Sequence, residues 1–377
     1  MLLKSLSKHA KKYSNFNRFA ILDAPRLVLF VLAGILTTSV VCLYSSNGGN
    51  IEPWASKQLL FIAISLIIFY VVISINIKII YKFSYLTLVF SVLLLLAVIP
   101  FGKRVLGASR WLDFGVIMLQ PSEFAKIAVI LTLAKFFSSL NVIRIARVST
   151  TFLTFLFISP VFILVAIQPD LATSIIILAI ITVILFSVGT PKWEFILAVV
   201  TIIFAAPIAW AKLLKDYQKL RIVNFLFPEN DPLGSGYNVI QSKIAIGSGG
   251  VLGKGFLEGT QGKLRFLPEH HTDFIFTIIG EEFGFIGAII LILMYLYIVY
   301  YGFKVATKAN STFCKLVSIG CTSLIFLHLF INIGMTVALM PVAGIPLVML
   351  SYGGSSLMIG LICVALIINM DINKNVL

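Results

Sequence analysis

Ten apolar runs, each close to the length of a membrane crossing, decide what this chain of 377 residues can fold into. A helix rises 1.5 Å per residue, so about 20 residues cross a hydrocarbon core roughly 30 Å thick. The runs lie at about 27–44, 58–76, 79–99, 122–138, 149–168, 171–188, 193–211, 273–301, 313–339 and 345–369. They predict an all-α fold, a polytopic membrane helix bundle of about ten transmembrane helices, with a long extracytoplasmic loop, 212–272, between helices 7 and 8. Charged residues are only 12% of the chain and mean hydropathy is +1.05, against roughly 25% charged in a soluble domain. The whole of 1–377 reads as one membrane domain with a cytoplasmic N-terminal tail, 1–26. No A-x-A exit follows the first run, so it reads as a retained span. Cys42, Cys314, Cys321 and Cys363 each sit in an apolar run with no metal-type spacing and read as packing residues.

The net charge is +14. With both termini in the cytoplasm, the short inner segments hold Lys78 and Lys82, then Lys135, Arg144 and Arg147, then Lys192, Lys304, Lys308 and Lys374, as the positive-inside rule requires. The outer side still keeps Lys103, Arg104, Arg110, Lys212, Lys215, Lys219, Arg221, Lys243, Lys254, Lys263 and Arg265. That rule does not account for these; an anionic partner on the outer face, such as lipid phosphates, does. Membrane lipid, and no nucleic acid, is the expected contact.

Several motifs carry two readings. Gln120-Pro121-Ser122-Glu123 and Gln168-Pro169-Asp170 open two helices alike, and proline at the first helical position is ordinary helix-start chemistry. Glu123 and Lys126 share a helix face; charges at that depth mark a functional position or a structural ion pair. GASRWLDFGVIMLQPSEF is too interrupted to span and reads as interfacial or re-entrant, with Arg110 and Trp111 at the interface. PVAGIP forms a tight outer turn, and SYGGSS interrupts the last span, by close packing or by local unwinding, with packing preferred. GSGGVLGKG lacks the residues of a phosphate loop at Ser248 and Gly255; it is either an anion-binding backbone or a turn. Asp273 opens the eighth run, as an N-cap or as a carboxylate that takes a proton from a substrate hydroxyl. Glu281 and Glu282, roughly 12 Å further along a helix, are expected inside the bundle.

On GASRWLDFGVIMLQPSEFAK, QPDLATS, LPEHHTDFIF and PVAGIPLVMLSYGGSS, the chain resembles the SEDS (shape, elongation, division and sporulation) family over nearly its whole length. The wording of the long loop is similar to the rod-shape-determining branch. The resemblance implies an inverting peptidoglycan glycosyltransferase in the bacterial cytoplasmic membrane, using lipid II as donor and acceptor during elongation and shape maintenance. It implies that Asp273 is catalytic and that Arg110, Trp111, Glu123, Lys126 and Asp170 serve the substrate. Gln120, Lys243, Lys254, Gln261, Glu269 and His271 complete the candidate substrate-binding set. A divalent cation, Mg or Mn, with unknown ligands, and a class B penicillin-binding protein as partner within the elongation machinery are further implications. The competing readings are a lipid II flippase, with intramembrane charges lining a path, and a non-catalytic scaffold.

Overall fold

The structure, a computed structural model, describes residues 20–105, 108–113, 115, 118–214, 216–227, 235–260 and 271–374. Among the described residues nine helices are long and apolar enough to cross a membrane. They are α1 (Arg26–Ser46), α2 (Trp54–Ser74), α3 (Ile77–Phe101), α5 (Val148–Ile167), α6 (Leu171–Val188), α7 (Lys192–Ile208, prolonged by a wider turn), α11 (Gly284–Lys308), α12 (Thr312–Thr336) and α13 (Gly354–Ile372). The run at 122–138 forms α4 (Pro121–Ser138), which carries Glu123, Lys126 and Lys135 and is therefore less apolar. It is also at the centre: 14 of its 18 residues are buried, and it packs against α3, α6 and α12. Enclosure by other helices is what lets a helix with three charges sit among apolar ones. No residue of α7 is buried, which leaves it at the edge of the bundle.

The end of the bundle that bears residues 212–272, called the loop end, differs from the expectation in four places. The segment before α4 is neither helical nor irregular. It forms a three-stranded antiparallel sheet of β1 (Lys103–Val105), β2 (Ala108–Asp113) and β3 (Met118–Leu119), pinned by a Lys103–Asp113 ion pair of 2.8 Å. The long loop is partly helical, with α8 (Asp216–Leu226) and α9 (Ser235–Ser248); Ser242 of α9 donates to the Thr336 carbonyl at 2.7 Å.

The eighth run is broken. α10 (Ile275–Glu282) is wholly buried and ends at Phe283, and the crossing helix α11 begins at Gly284, where φ is +63°. A break frees backbone groups that must find partners, and the glycine-rich stretch supplies them. Lys254 and Gly255 donate their N–H groups to the carbonyls of Glu281 and Glu282 (3.0 and 3.1 Å), and Phe285 and Ile286 donate to Gly250 and Val251 (3.0 and 3.2 Å). A Cβ at Gly253 would stand 2.1 Å from the Glu282 carbonyl oxygen. The run GSGGVLGKG is thus a backbone-to-backbone seam. Glu281 and Glu282 are buried, as expected, and lie at this seam, level with Ser45 at the end of α1.

Gly253→Ala is accordingly expected to destabilise the protein by more than the roughly 1–3 kcal/mol that a left-handed backbone alone costs a residue with a Cβ. Gly247→Ala, in α9 with no atom within 4 Å of the added methyl, is expected to be neutral or mildly stabilising. Thermal unfolding of the two purified variants in one detergent compares them directly.

The fourth difference is the segment 341–353, which was expected to be a turn followed by helix. α13 starts only at Gly354, and Leu347, Val348, Met349 and Leu350 are fully buried without helical structure. Unwound backbone at such a depth needs protein partners. Asn332 donates to the Ile345 carbonyl (2.8 Å), Tyr295 to that of Val348, Ser39 to that of Leu350 (2.6 Å) and Gln58 to that of Ser351 (3.2 Å). Leu347 donates its N–H to the Ser351 hydroxyl at 2.8 Å. Side chains from α1, α2, α11 and α12 therefore replace the hydrogen bonds a helix would have made.

Candidate active site

Asp273 stands on the turn that leads into α10. The residue that caps that helix is Phe274, without a side-chain hydrogen bond, so Asp273 lies one place outside the capping position. Its carbonyl accepts from Asn332 Nδ2 at 2.9 Å, the same amide that holds the Ile345 carbonyl. Its half-buried carboxylate faces the unwound segment: Oδ2 is 3.5 Å from where a Cβ on Gly344 would stand. His271 is fixed beside it by three contacts. The Tyr352 N–H donates to the His271 carbonyl at 2.9 Å. The Trp54 ring stacks on the imidazole at 4.4 Å between centroids, and the Tyr352 ring lies at 5.8 Å. Arg221 reaches the same segment and donates to the Ala343 carbonyl at 3.3 Å. One acid, one imidazole, two aromatic faces and a guanidinium thus meet around residues 343–352.

A second group lies where β2 meets the starts of α4 and α6. Arg110 donates from Nε to the Gln168 carbonyl at 3.0 Å and from Nη2 to that of Pro169. Asp170 caps α6 through the Thr173 N–H (3.2 Å) and also accepts from Thr173 Oγ1 (2.9 Å), Gln120 Nε2 (3.3 Å) and Ser122 Oγ (3.5 Å). The two similar helix openings are therefore tied to each other. Ser355 at the head of α13 accepts from the Gln120 N–H (3.0 Å) and donates to the Met118 carbonyl (3.1 Å), which joins this group to the end of the unwound segment. Trp111, half-buried, pairs with Lys103 across the sheet.

The remaining candidates are dispersed. Glu123 and Lys126 form an ion pair of 2.7 Å with side-chain exposures of 4% and 0%, sealed inside the bundle. Lys254 is paired with Glu281 at 2.7 Å, and Thr260 donates its N–H and hydroxyl to the same carboxylate oxygen (2.9 and 2.8 Å). Burial pushes the Glu281 carboxyl up, but Lys254 and Thr260 outweigh it and hold the group below the usual carboxylate range. Burial, with Glu281 next to it, pushes Glu282 the other way, against the hydroxyl of Ser45. Lys243 is exposed on α9. Gln261 and Glu269 lie outside the described residues. Among the described residues no three His, Cys, Asp or Glu side chains gather as a metal-holding group.

Trp54, Asn332, His328 and Tyr352 were not singled out from the sequence. Asn332 and His328 carried a usable signal, since uncharged polar and ionisable residues inside an apolar run mark internal contacts. Trp54 looked like any aromatic residue at a membrane interface.

A membrane helix bundle with an unwound, side-chain-held segment beside a carboxylate at its loop end defines a class of polytopic membrane protein. The chain belongs to the FtsW/RodA/SpoVE cell cycle protein family, whose model matches residues 22–376. It is 41% identical over 333 residues to peptidoglycan glycosyltransferase MrdB of Escherichia coli K12, covering 88% of this chain and 89% of that one. To peptidoglycan glycosyltransferase RodA of Treponema pallidum it is 30% identical, covering 93% and 98%. A solved structure concerned with structural coordination of polymerization and crosslinking by a peptidoglycan synthase complex superposes with a TM-score of 0.82 at 26% identity, covering 94% of this chain and 99% of that chain. The crystal structure of the Thermus thermophilus rod shape determining protein RodA superposes with a TM-score of 0.70 at 26% identity, covering 93% and 98%.

Proposed function

We propose that this peptidoglycan glycosyltransferase polymerises lipid II on the outer face of the cytoplasmic membrane, with Asp273 as general base. The observation that carries the reading is the placement of the Asp273 carboxylate at the loop end, half-buried and directed at Gly344. The short basic segments around Lys78, Lys82, Arg144, Arg147, Lys192 and Lys308 fall at the opposite ends of the helices, which under the positive-inside rule is the cytoplasmic side. Both termini then lie in the cytoplasm.

In the reaction, the 4-hydroxyl of the acceptor sugar loses its proton to Asp273 as its oxygen attacks the donor's anomeric carbon, with inversion, and the polyprenyl diphosphate leaves. Negative charge grows on the diphosphate, and fixed cations facing it lower the barrier. Of the three basic residues expected there, Arg110 and Lys254 are engaged with main-chain carbonyls and with Glu281; Lys243 is exposed on α9. A divalent cation, Mg or Mn, would neutralise part of the charge on the leaving diphosphate. A class B penicillin-binding protein of the elongation machinery would crosslink the strands.

The flippase reading asks for intramembrane charges along a path, whereas the Glu123–Lys126 pair is enclosed and Glu281 and Glu282 sit at the loop end. Purified protein given lipid II in detergent micelles is expected to yield glycan strands, with chelator lowering the rate and Mg or Mn restoring it. Lipid movement in sealed vesicles with no polymer in micelles would instead identify a transporter.

A further inference from the structure

The unwound segment 341–353 carries the surface that Asp273 faces, and one of its carbonyls is held by a residue that the reaction above does not use. His328 of α12, 1% exposed, approaches the Pro346 carbonyl with Nδ1 at 3.0 Å and Lys126 Nζ with Nε2 at 2.8 Å. An ammonium has donors only. Nε2 must therefore accept from Lys126, which leaves the ring proton on Nδ1 and makes Nδ1 the donor to Pro346. One turn along the same face of α12, Asn332 binds both the Ile345 and the Asp273 carbonyls. A continuous chain thus runs from Glu123 through Lys126 and His328 to Pro346, and by Ile345 and Asn332 to Asp273.

We propose that His328 is a positioning residue: through its Nδ1–H bond to the Pro346 carbonyl it sets the distance between the unwound segment and Asp273, and Lys126 fixes which ring nitrogen donates. The proposal rests on Asp273 being the base. It gives the enclosed Glu123–Lys126 pair a task without requiring it to touch substrate. It also explains why a titratable ring is placed against a main-chain carbonyl: Pro346 lies in non-helical backbone, where no helical N–H supplies a donor, and two residues away Gly344 faces the carboxylate. A displacement of the segment of about 1 Å would separate base and acceptor hydroxyl, and misplacement of that size costs roughly 100-fold in rate.

Two near-isosteric substitutions separate the two sides of the ring. Asparagine places its amide nitrogen where Nδ1 stands and keeps the donor to Pro346; glutamine reaches the Nε2 position and keeps the acceptor for Lys126. With purified full-length protein and lipid II, His328→Asn is expected to hold kcat within about threefold of the parent. His328→Gln is expected to lose roughly 30- to 100-fold in kcat with KM and unfolding temperature little changed. A purely structural role would lower the unfolding temperature and the yield but leave kcat per folded molecule where it was. Glutamine as active as the parent, or both variants impaired alike, overturns the proposal. Should the glutamine variant not fold, nitrogen-15 NMR of histidine-labelled parent protein decides. The resonance missing from His328→Asn is expected to report a neutral ring protonated at Nδ1, and protonation at Nε2 overturns the assignment. Asp273→Asn is measured alongside. Activity in that variant removes the base itself, whereas an inactive Asp273→Asn with a fully active His328→Gln removes only the positioning role.

Discussion

Asp273→Asn is expected to lower lipid II polymerisation by roughly 10²–10⁴-fold, the usual contribution of a positioned general base, while the protein expresses and folds as before. The fold should tolerate the change for a local reason. At this position Asn332 holds the main-chain carbonyl, which the substitution leaves in place, and the helix that follows is capped at Phe274. Asparagine keeps the size and the backbone bond and lacks the proton acceptor. Gel analysis of glycan strands, with unfolding temperature measured on the same preparation, checks both halves. Polymerisation at the parental rate would end the assignment of Asp273 as base.

Lys126→Met should give the largest loss of stability among single changes in the bundle interior. The pair is sealed, and Glu123 Oε2 is buried without a hydrogen-bond partner, so Lys126 supplies the stabilisation that carboxylate has. Removing one member of a buried pair leaves an uncompensated charge and costs about 3–5 kcal/mol. The combination of Glu123→Gln with Lys126→Met removes both charges and is expected to recover much of that loss, because replacing a whole buried pair is often close to neutral. The pair's coupling is read from the unfolding temperatures of the two single variants and the double variant. If the double variant is as unstable as Lys126→Met alone, the interaction is not a compensated ion pair. His328 enters the same cycle, since Lys126 is also its donor.

Some of the contacts around the candidate site could be read from the order of residues. The repeated helix openings at Gln120 and Gln168 do meet, through Asp170 and Ser122, because two helix starts at one end of a bundle bring like positions together. Asp273 was legible as the carboxylate where a polar interval enters an apolar run. The glycine-rich stretch was only half legible: readable as an anion-binding backbone or a turn, it turns against another backbone, the break at Phe283. Nor were Trp54 and Tyr352, which come to His271 from helix ends far away in the chain.

Hydropathy along the chain specifies the membrane bundle and most of its crossings, because the cost of putting a side chain in hydrocarbon is set residue by residue. That the eighth run breaks at Phe283 and that 341–353 runs unwound, with 347–350 fully buried, is decided by tertiary contacts. An apolar segment has the same hydropathy whether helical or extended. What permits the extended form is a set of donors, Ser39, Gln58, Tyr295, His328 and Asn332, brought from other helices to carbonyls that would otherwise be unsatisfied.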